Sequence, residues 1–148
     1  MAPLITRPSQ ADAANPFNRT TMQVTKHFKL SEFACKDGTQ VPEKYQGNVA
    51  ALCLALEHLR ARLGSPVVII SGYRTEEYNK RVGGASKSKH LTASAADVRL
   101  SGKSPAEVSA CLEELIADGT IPQGGIGVYP SQNFTHYDVR LSKARWDG

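Results

Sequence analysis

Apolar residues at three- and four-residue steps predict a long helix over residues 43–63. Its shared apolar face consists of Val49, Leu52, Cys53, Leu56, Leu59 and Leu63. Gly64 follows as the expected C-terminal stop, and Pro66 prevents the helix from continuing. The pattern indicates a helix that packs one side against a core.

A second helix is predicted to begin after Ser104. This serine is a typical N-cap, with Pro105 at the first helical position and Glu107 three residues after the cap. The apolar face consists of Val108, Cys111, Leu112, Leu115 and Ile116, and Gly119 ends the helix. A shorter helix is expected over residues 75–81.

Four short segments predict strands, at residues 67–70, 95–100, 125–129 and 134–141. The first is β-branched and is expected to be buried, and the last two form a hairpin around a turn. Helices come first and strands cluster late, which favours an α+β fold with a small, largely antiparallel sheet and flanking helices. No Gly-x-Gly-x-x-Gly follows a predicted strand, so a doubly wound sheet is disfavoured.

Residues 1–25 differ from the rest of the chain, because they are rich in Pro, Ala, Asn, Thr and Gln and show no sustained period. They are predicted to form an extended N-terminal arm outside a domain of residues 26–148. The arm is either a flexible terminus or a segment that docks onto a neighbouring protein. The first residues lack the features of a secretory signal, so delivery to any site outside a cytoplasm is expected to follow another route.

Composition narrows the possible partners. The 148 residues fit one domain, with a formal charge of +4 and a pI near 9.1. No Lys/Arg block with interleaved aromatic residues is present, so no nucleic-acid partner is expected. The apolar runs are too short to span a bilayer, and no membrane partner is expected. Three cysteines without a Cys-x-x-Cys pair make a thiolate zinc site improbable.

The segment from Ser88 to Asp97 carries the first candidate chemistry. His90 lies seven positions before Asp97, which opens the apolar run Val98–Leu100. A buried, unpaired carboxylate is costly unless a cation or hydrogen bonds compensate for it. Imidazole and carboxylate are both ordinary zinc ligands, although this spacing alone is weak support for a zinc site.

Two further segments add polar residues at fixed spacing. His136, Asp138 and Arg140 alternate along a predicted strand and therefore share one face. This face is either a functional surface or a solvated strand with an Asp–Arg pair. Arg74 follows a predicted buried strand at a glycine turn, where it either binds a substrate carboxylate or is an ordinary surface arginine.

Together these segments resemble the zinc D-Ala-D-Ala carboxypeptidase and endopeptidase family, which has relatives in the hedgehog/LAS group. The family pattern Ser-x-His-x-x-Gly-x-Ala-x-Asp is matched at Ser88, His90, Ala95 and Asp97, with Ala93 in place of the glycine. Three further segments match the carboxypeptidase-like branch of the family. They are Ser-Gly-Tyr-Arg ending at Arg74, the run 124–130, and Phe-x-His-x-Asp-x-Arg over 134–140. The resemblance covers about residues 26 to 146.

The resemblance implies a hedgehog/DD-peptidase-like fold with one Zn²⁺ bound by His90, Asp97 and His136. Three protein ligands leave a fourth position for water, as in catalytic zinc sites. Arg74 would bind a carboxylate or carbonyl of the substrate. Many members carry an acid three residues before the last ligand, but this chain has Asn133 there.

Asp138 is therefore expected to act as the general base, or else to orient a ligand histidine. Ser88 and Tyr129 are expected to contact substrate, Ser88 through a hydrogen bond and not as a nucleophile. Tyr129 and Trp146 either line the cleft or pack in the ordinary way. His27 and His58 are expected to be structural.

The resemblance implies a zinc peptidase that cuts a stem peptide or cross-link of bacterial peptidoglycan. Whether it is a D,D-carboxypeptidase or an endopeptidase is left open. The enzyme is expected to be a phage lysin or a virion-associated hydrolase that acts on the cell wall or periplasm. Residues 1–25 would then bind a virion or tail protein. The alternative is a non-catalytic module of a phage tail or cell-wall complex that keeps zinc for stability.

Overall fold

The computed structural model describes residues 22–148, and residues 1–21 lie outside the described part. The helices are α1 (Gln46–Leu63), α2 (Glu76–Arg81) and α3 (Pro105–Ala117). The strands are β1 (Gln23–Thr25), β2 (Phe28–Lys29), β3 (Val67–Ser71), β4 (Ala95–Leu100), β5 (Gly125–Tyr129), β6 (Phe134–Asp138) and β7 (Ala144–Asp147). Short 3-10 helices lie at Leu30–Phe33, Glu43–Tyr45 and Lys89–Thr92.

The main sheet has five strands in the order β3-β4-β6-β5-β7. All neighbouring pairs are antiparallel except β5 and β7, which run parallel. A separate hairpin joins β1 and β2, and helices α1 and α3 pack against each other. The predicted α+β fold with a small, largely antiparallel sheet and flanking helices is confirmed.

The register of the sheet aligns one residue from each strand in a single row. Ser71 pairs with Asp97, Asp97 with His136, His136 with Gly127, and Gly127 with Trp146. The register of β3 shifts between Ile69 and Ser71, and this irregularity brings Ser71 opposite Asp97. Directly opposed residues on neighbouring strands project from the same face, so the row gathers their side chains together.

The helix ends follow the predicted signals. The Ser104 hydroxyl accepts from the Glu107 amide at 3.1 Å, and the Glu107 carboxylate accepts from the Ser104 amide at 2.8 Å. Helix α1 ends at Gly64, which adopts a φ of 64°. The first turn of the predicted long helix is a separate 3-10 turn at Glu43–Tyr45.

Several strands differ from the sequence-based expectations. Strand β3 is half-buried, because Val68 is 53% exposed while its neighbours point into the core. Strand β6 ends at Asp138, three residues earlier than expected. Strand β7 was missed, because its mixed sequence Ala-Arg-Trp-Asp lacks an apolar run.

Residues 22–25, which the sequence analysis assigned to the arm, lie beside α1. The Thr25 hydroxyl donates to the Glu57 carboxylate at 2.7 Å, and Met22 and Val24 pack against the core. The rest of the proposed arm lies outside the described residues. No helix within residues 22–148 is both long enough and apolar enough to cross a membrane.

Gly72 allows a close approach between the end of β3 and the Leu30–Phe33 turn. A Cβ added there would lie 2.7 Å from the Phe33 Cα and 2.9 Å from its carbonyl oxygen. Gly72→Ala should therefore lower the free energy of unfolding by about 1–3 kcal/mol, measured by denaturant titration. The control Gly47→Ala meets nothing within 4 Å in helix α1, and should be neutral or stabilising by about 0.5–1 kcal/mol. Equal stability of the two variants would contradict the packing argument.

Candidate metal centre

His90 is held by a short turn between α2 and β4. The Ser88 hydroxyl accepts from the His90 amide at 3.2 Å and caps the Lys89–Thr92 turn. The turn ends at Ala93, which adopts a φ of 58°. The His90 Nδ1 lies 2.7 Å from the Gly72 carbonyl oxygen. These contacts fix the imidazole with its Nε2 directed at β4.

Asp97 and His136 are opposed across β4 and β6, and His90 reaches the same point from the turn. The Asp97 Oδ1 lies 3.1 Å from the His136 Nδ1 and 3.3 Å from the His90 Nε2. All three residues are buried, with 2–6% of their surface exposed. One donor atom from each lies within 4.8 Å of the others. A tetrahedral zinc with bonds of about 2.0–2.1 Å has edges of about 3.3–3.4 Å, so these spacings fit zinc.

The hydrogen-bond partners of the imidazoles explain why a cation fits there. A carbonyl only accepts, so the His90 Nδ1 carries a proton towards Gly72 and its Nε2 offers a lone pair. The His136 Nε2 lies 2.8 Å from the Asp138 Oδ2, so a neutral His136 directs its Nδ1 lone pair at Asp97. Three acceptor atoms then converge in a buried site. Arg74 compensates part of the charge from the Asp97 Oδ2 side. The two imidazole lone pairs that face Oδ1 still need protons or a metal ion.

The charge state of Asp97 agrees with a cation site. Burial alone raises the pKa of this carboxyl. When the facing nitrogens of His136 and His90 carry protons, as they do without a metal ion, their hydrogen bonds outweigh burial and hold the pKa of Asp97 below the ordinary value. Asp97 also accepts from the Arg74 Nη2 at 3.3 Å. The carboxylate is therefore ionised and available as a ligand at neutral pH.

Asp138 contacts the side of His136 opposite to the cluster. It is completely buried, and its oxygens accept from the Gly125 amide and from the Arg140 Nε and Nη2, each Arg140 contact at 2.8 Å. Burial raises the pKa of Asp138, but hydrogen bonds with His136 and Arg140 prevail and lower it. A low pKa and fully engaged oxygens favour the role of orienting His136 over the role of general base.

Arg74 lies beside the cluster, with its side chain 15% exposed. Its Nε donates to the Ser71 hydroxyl, its Nη1 to the Asn79 amide oxygen and its Nη2 to Asp97. A guanidinium has five N–H groups, so two of them stay available for a ligand. Asn79 is buried, and its own amide donates to the Ala85 carbonyl at 2.8 Å. Arg74 is thus pre-positioned at the edge of the cleft.

A cleft of about 710 Å³ opens over the cluster. The predicted site residues that line it are Arg74, Ser88, His90, Asp97, Tyr129 and His136. Asp138 lies behind His136, and Asn133 is an exposed turn residue outside the lining. His27 binds Glu57 on another face, and His58 is exposed. The structure therefore brings together the three proposed ligands and the proposed substrate residues.

Several residues of this cleft have no role among the sequence-based predictions. Lys87 and Lys89 flank Ser88, Gln132 comes from the β5–β6 turn and Phe134 from the start of β6. The two lysines could have been predicted to line the cleft, because they lie next to the first proposed ligand in the sequence. Gln132 and Phe134 had none, because only the hairpin geometry brings them over the cluster.

The orienting role of Asp138 can be tested by Asp138→Asn. The asparagine amide has one acceptor oxygen and no negative charge, so it cannot bind Arg140 and His136 as the carboxylate does. His136 should therefore lose its fixed orientation. We expect zinc affinity to fall by about 10–100-fold, measured by competition with a chromophoric chelator. The exposed His58→Ala should bind zinc as the wild type does. If Asp138→Asn keeps full zinc affinity but loses turnover, the base role is correct instead.

The comparison with protein families agrees with this geometry. A search of curated proteins finds no match. The model of the family described as Peptidase M15 matches residues 26–138, which hold all three cluster residues, Arg74 and Asp138. M15 peptidases are zinc-dependent, in agreement with the His-Asp-His cluster. The chain therefore belongs to the peptidase M15 family of zinc metallopeptidases.

Proposed function

We propose that the protein hydrolyses a peptide bond in the stem peptide or cross-link of bacterial peptidoglycan. The observation that carries this proposal is the His90–Asp97–His136 cluster at a cleft with Arg74 beside it. Membership of the M15 family supports a zinc peptidase acting on peptidoglycan. The residues that line the cleft indicate which chemical groups of a substrate this chain would bind.

The charge of the cleft fits an anionic peptide. Its lining contains the cationic residues Arg74, Lys87, Lys89 and Arg140, and among the described lining residues Asp97 is the one carboxylate. A cleft lined by one sign of charge raises the local concentration of oppositely charged ligands. Peptidoglycan stem peptides carry free carboxylates, which Arg74 would bind with its two remaining N–H groups.

Each polar residue then has a defined task. Zinc bound at the cluster would lower the pKa of a water ligand and polarise a carbonyl. His90, Asp97 and His136 would hold the ion, and Gly72 and Asp138 fix the imidazoles that do so. Arg74 would align the substrate next to the cluster, since its guanidinium is already held by Ser71, Asn79 and Asp97.

A second candidate, a non-catalytic zinc module, is favoured by the position of Asp138. This carboxylate contacts the His136 nitrogen that faces away from the cluster. Apart from the three proposed zinc ligands, the described lining residues of the cleft include no carboxylate or imidazole that could accept a proton. A binding module would keep the zinc and the cleft but produce no cleavage.

We further propose that the enzyme is a phage-borne cell-wall hydrolase, either a lysin or a virion component. The support is the composition of residues 1–21, which precede the matched region and are rich in Pro, Ala, Asn and Thr. Such a segment can order on the surface of a partner, here a virion or tail protein. Residues 22–25 of the expected arm pack beside α1 and give no such support.

Digestion of purified peptidoglycan tests the proposed activity and names the bond. We expect new peptide fragments by mass spectrometry, since the cleft holds both the three candidate zinc ligands and Arg74, which would bind a substrate carboxylate. His136→Ala should release none, because it loses a ligand, while the control His58→Ala should cleave like the wild type. Zinc-loaded wild-type protein that binds peptidoglycan without releasing fragments would overturn the proposal in favour of the non-catalytic module.

A further inference from the structure

The C-terminal strand β7 brings Trp146 to the metal centre. Trp146 pairs with Gly127 on β5, and Gly127 pairs with His136 on β6. A side chain on Gly127 would collide with the indole, because an added Cβ would overlap the Nε1, Cε2 and Cζ2 atoms of Trp146. The glycine therefore lets Trp146 reach across β5, so that the centroid of its ring lies 4.8 Å from that of His136.

Further contacts fix the indole in this place. Its Nε1 donates to the Tyr129 hydroxyl at 2.8 Å, and Tyr129 in turn stacks on Phe134 with centroids 4.4 Å apart. The Arg140 guanidinium lies over the indole at 5.6 Å. Arg140 also binds Asp138, so the groups that contact His136 contact one another as well.

The strand that carries Trp146 is itself anchored. Arg145 makes two hydrogen bonds to Glu113 on α3, at 2.7 and 3.0 Å, and donates to the Gly124 carbonyl at 2.8 Å. The Gly148 amide donates to the Val128 carbonyl at 2.8 Å. Strand β7 is thus tied to both α3 and β5 on either side of Trp146.

We propose that Trp146 is a positioning residue that sets the orientation of His136 towards the metal. The hydrogen bond to Asp138 fixes His136 only within the plane of its ring, since imidazole N–H groups lie in that plane. The indole packs against the ring with an interplanar angle of 54° and limits its tilt. Trp146 lies outside the matched residues 26–138, so strand β7 completes the metal centre from beyond that region. This inference rests on the proposed zinc site.

Fluorescence tests the inference in the unaltered protein. Trp146 is the single tryptophan of the chain, so selective excitation reports on it alone. Adding Zn²⁺ to metal-free full-length protein should change the emission and saturate at one zinc per chain. Zinc content is measured separately by elemental analysis. Stoichiometric zinc binding with unchanged emission would overturn the inference and leave the metal centre intact.

Substitution supplies the second test. Trp146→Ala should lower zinc affinity by about 10–100-fold, in the range seen when a partner of a metal ligand is removed. Trp146→Phe, which keeps an aromatic ring against His136, should restore most of the affinity. The control Tyr78→Ala removes a half-buried aromatic side chain outside the cleft lining and should bind zinc normally.

The outcomes distinguish a failure of the positioning role of Trp146 from a failure of the metal centre itself. Wild-type affinity in a folded Trp146→Ala, or no rescue by Trp146→Phe, would overturn the positioning role. If Trp146→Ala fails to fold, the emission change in the wild type still decides the question. A wild-type protein that binds no zinc would overturn the metal centre and this inference together.

Discussion

The structure depends on a buried carboxylate, Asp97, whose one oxygen contacts Arg74 and whose other oxygen faces two imidazoles. Asp97 lies at the centre of the sheet face, 4% exposed, with an imidazole nitrogen of His90 and one of His136 close to a single oxygen. The outer nitrogens of both rings are already committed to Gly72 and Asp138. Without a compensating charge, this arrangement would place three acceptors together in a low-dielectric site. A metal ion turns the same geometry into a source of stability, since its binding energy adds to folding.

The register of the sheet places the candidate ligands close to Asp97. Asp97 and His136 face each other because β4 and β6 are antiparallel neighbours, and the row continues through Gly127 to Trp146. The segment from Gly72 to His90, which includes α2, covers the side of the cluster opposite to His136. There the Arg74 amide donates to the His90 carbonyl at 2.9 Å. The positions of Asp97, His136 and Trp146 therefore depend on one set of strand pairings. A slip of one residue would turn Asp97 to the opposite face.

The sequence predicted the elements whose signals are local. The Ser104 cap, the Gly64 stop and the spacing of the α1 face were sufficient because each depends on residues within a few positions. The shared face of His136, Asp138 and Arg140 followed from strand alternation and is confirmed by their mutual hydrogen bonds. The ligand set itself came from a family resemblance, because a His-x6-Asp spacing identifies no metal site by itself.

Features of the fold that depend on contacts between distant parts of the chain were not predicted from the sequence. Strand β7 is defined by pairing with β5 and by the Arg145–Glu113 contact, neither of which leaves a pattern in four residues. The contacts of Asp138 favour the orienting role over the general base, and no pattern in the sequence distinguishes the two. Ala93 occupies a left-handed conformation that favours glycine, which accounts for the glycine in the family pattern.

X-ray absorption at the zinc edge of the loaded protein tests the central claim most directly. The account predicts one ion surrounded by nitrogen and oxygen at about 2.0–2.1 Å, with scattering from two imidazoles. A sulfur neighbour at about 2.3 Å, or scattering from fewer than two imidazoles, would contradict the assignment of His90, Asp97 and His136.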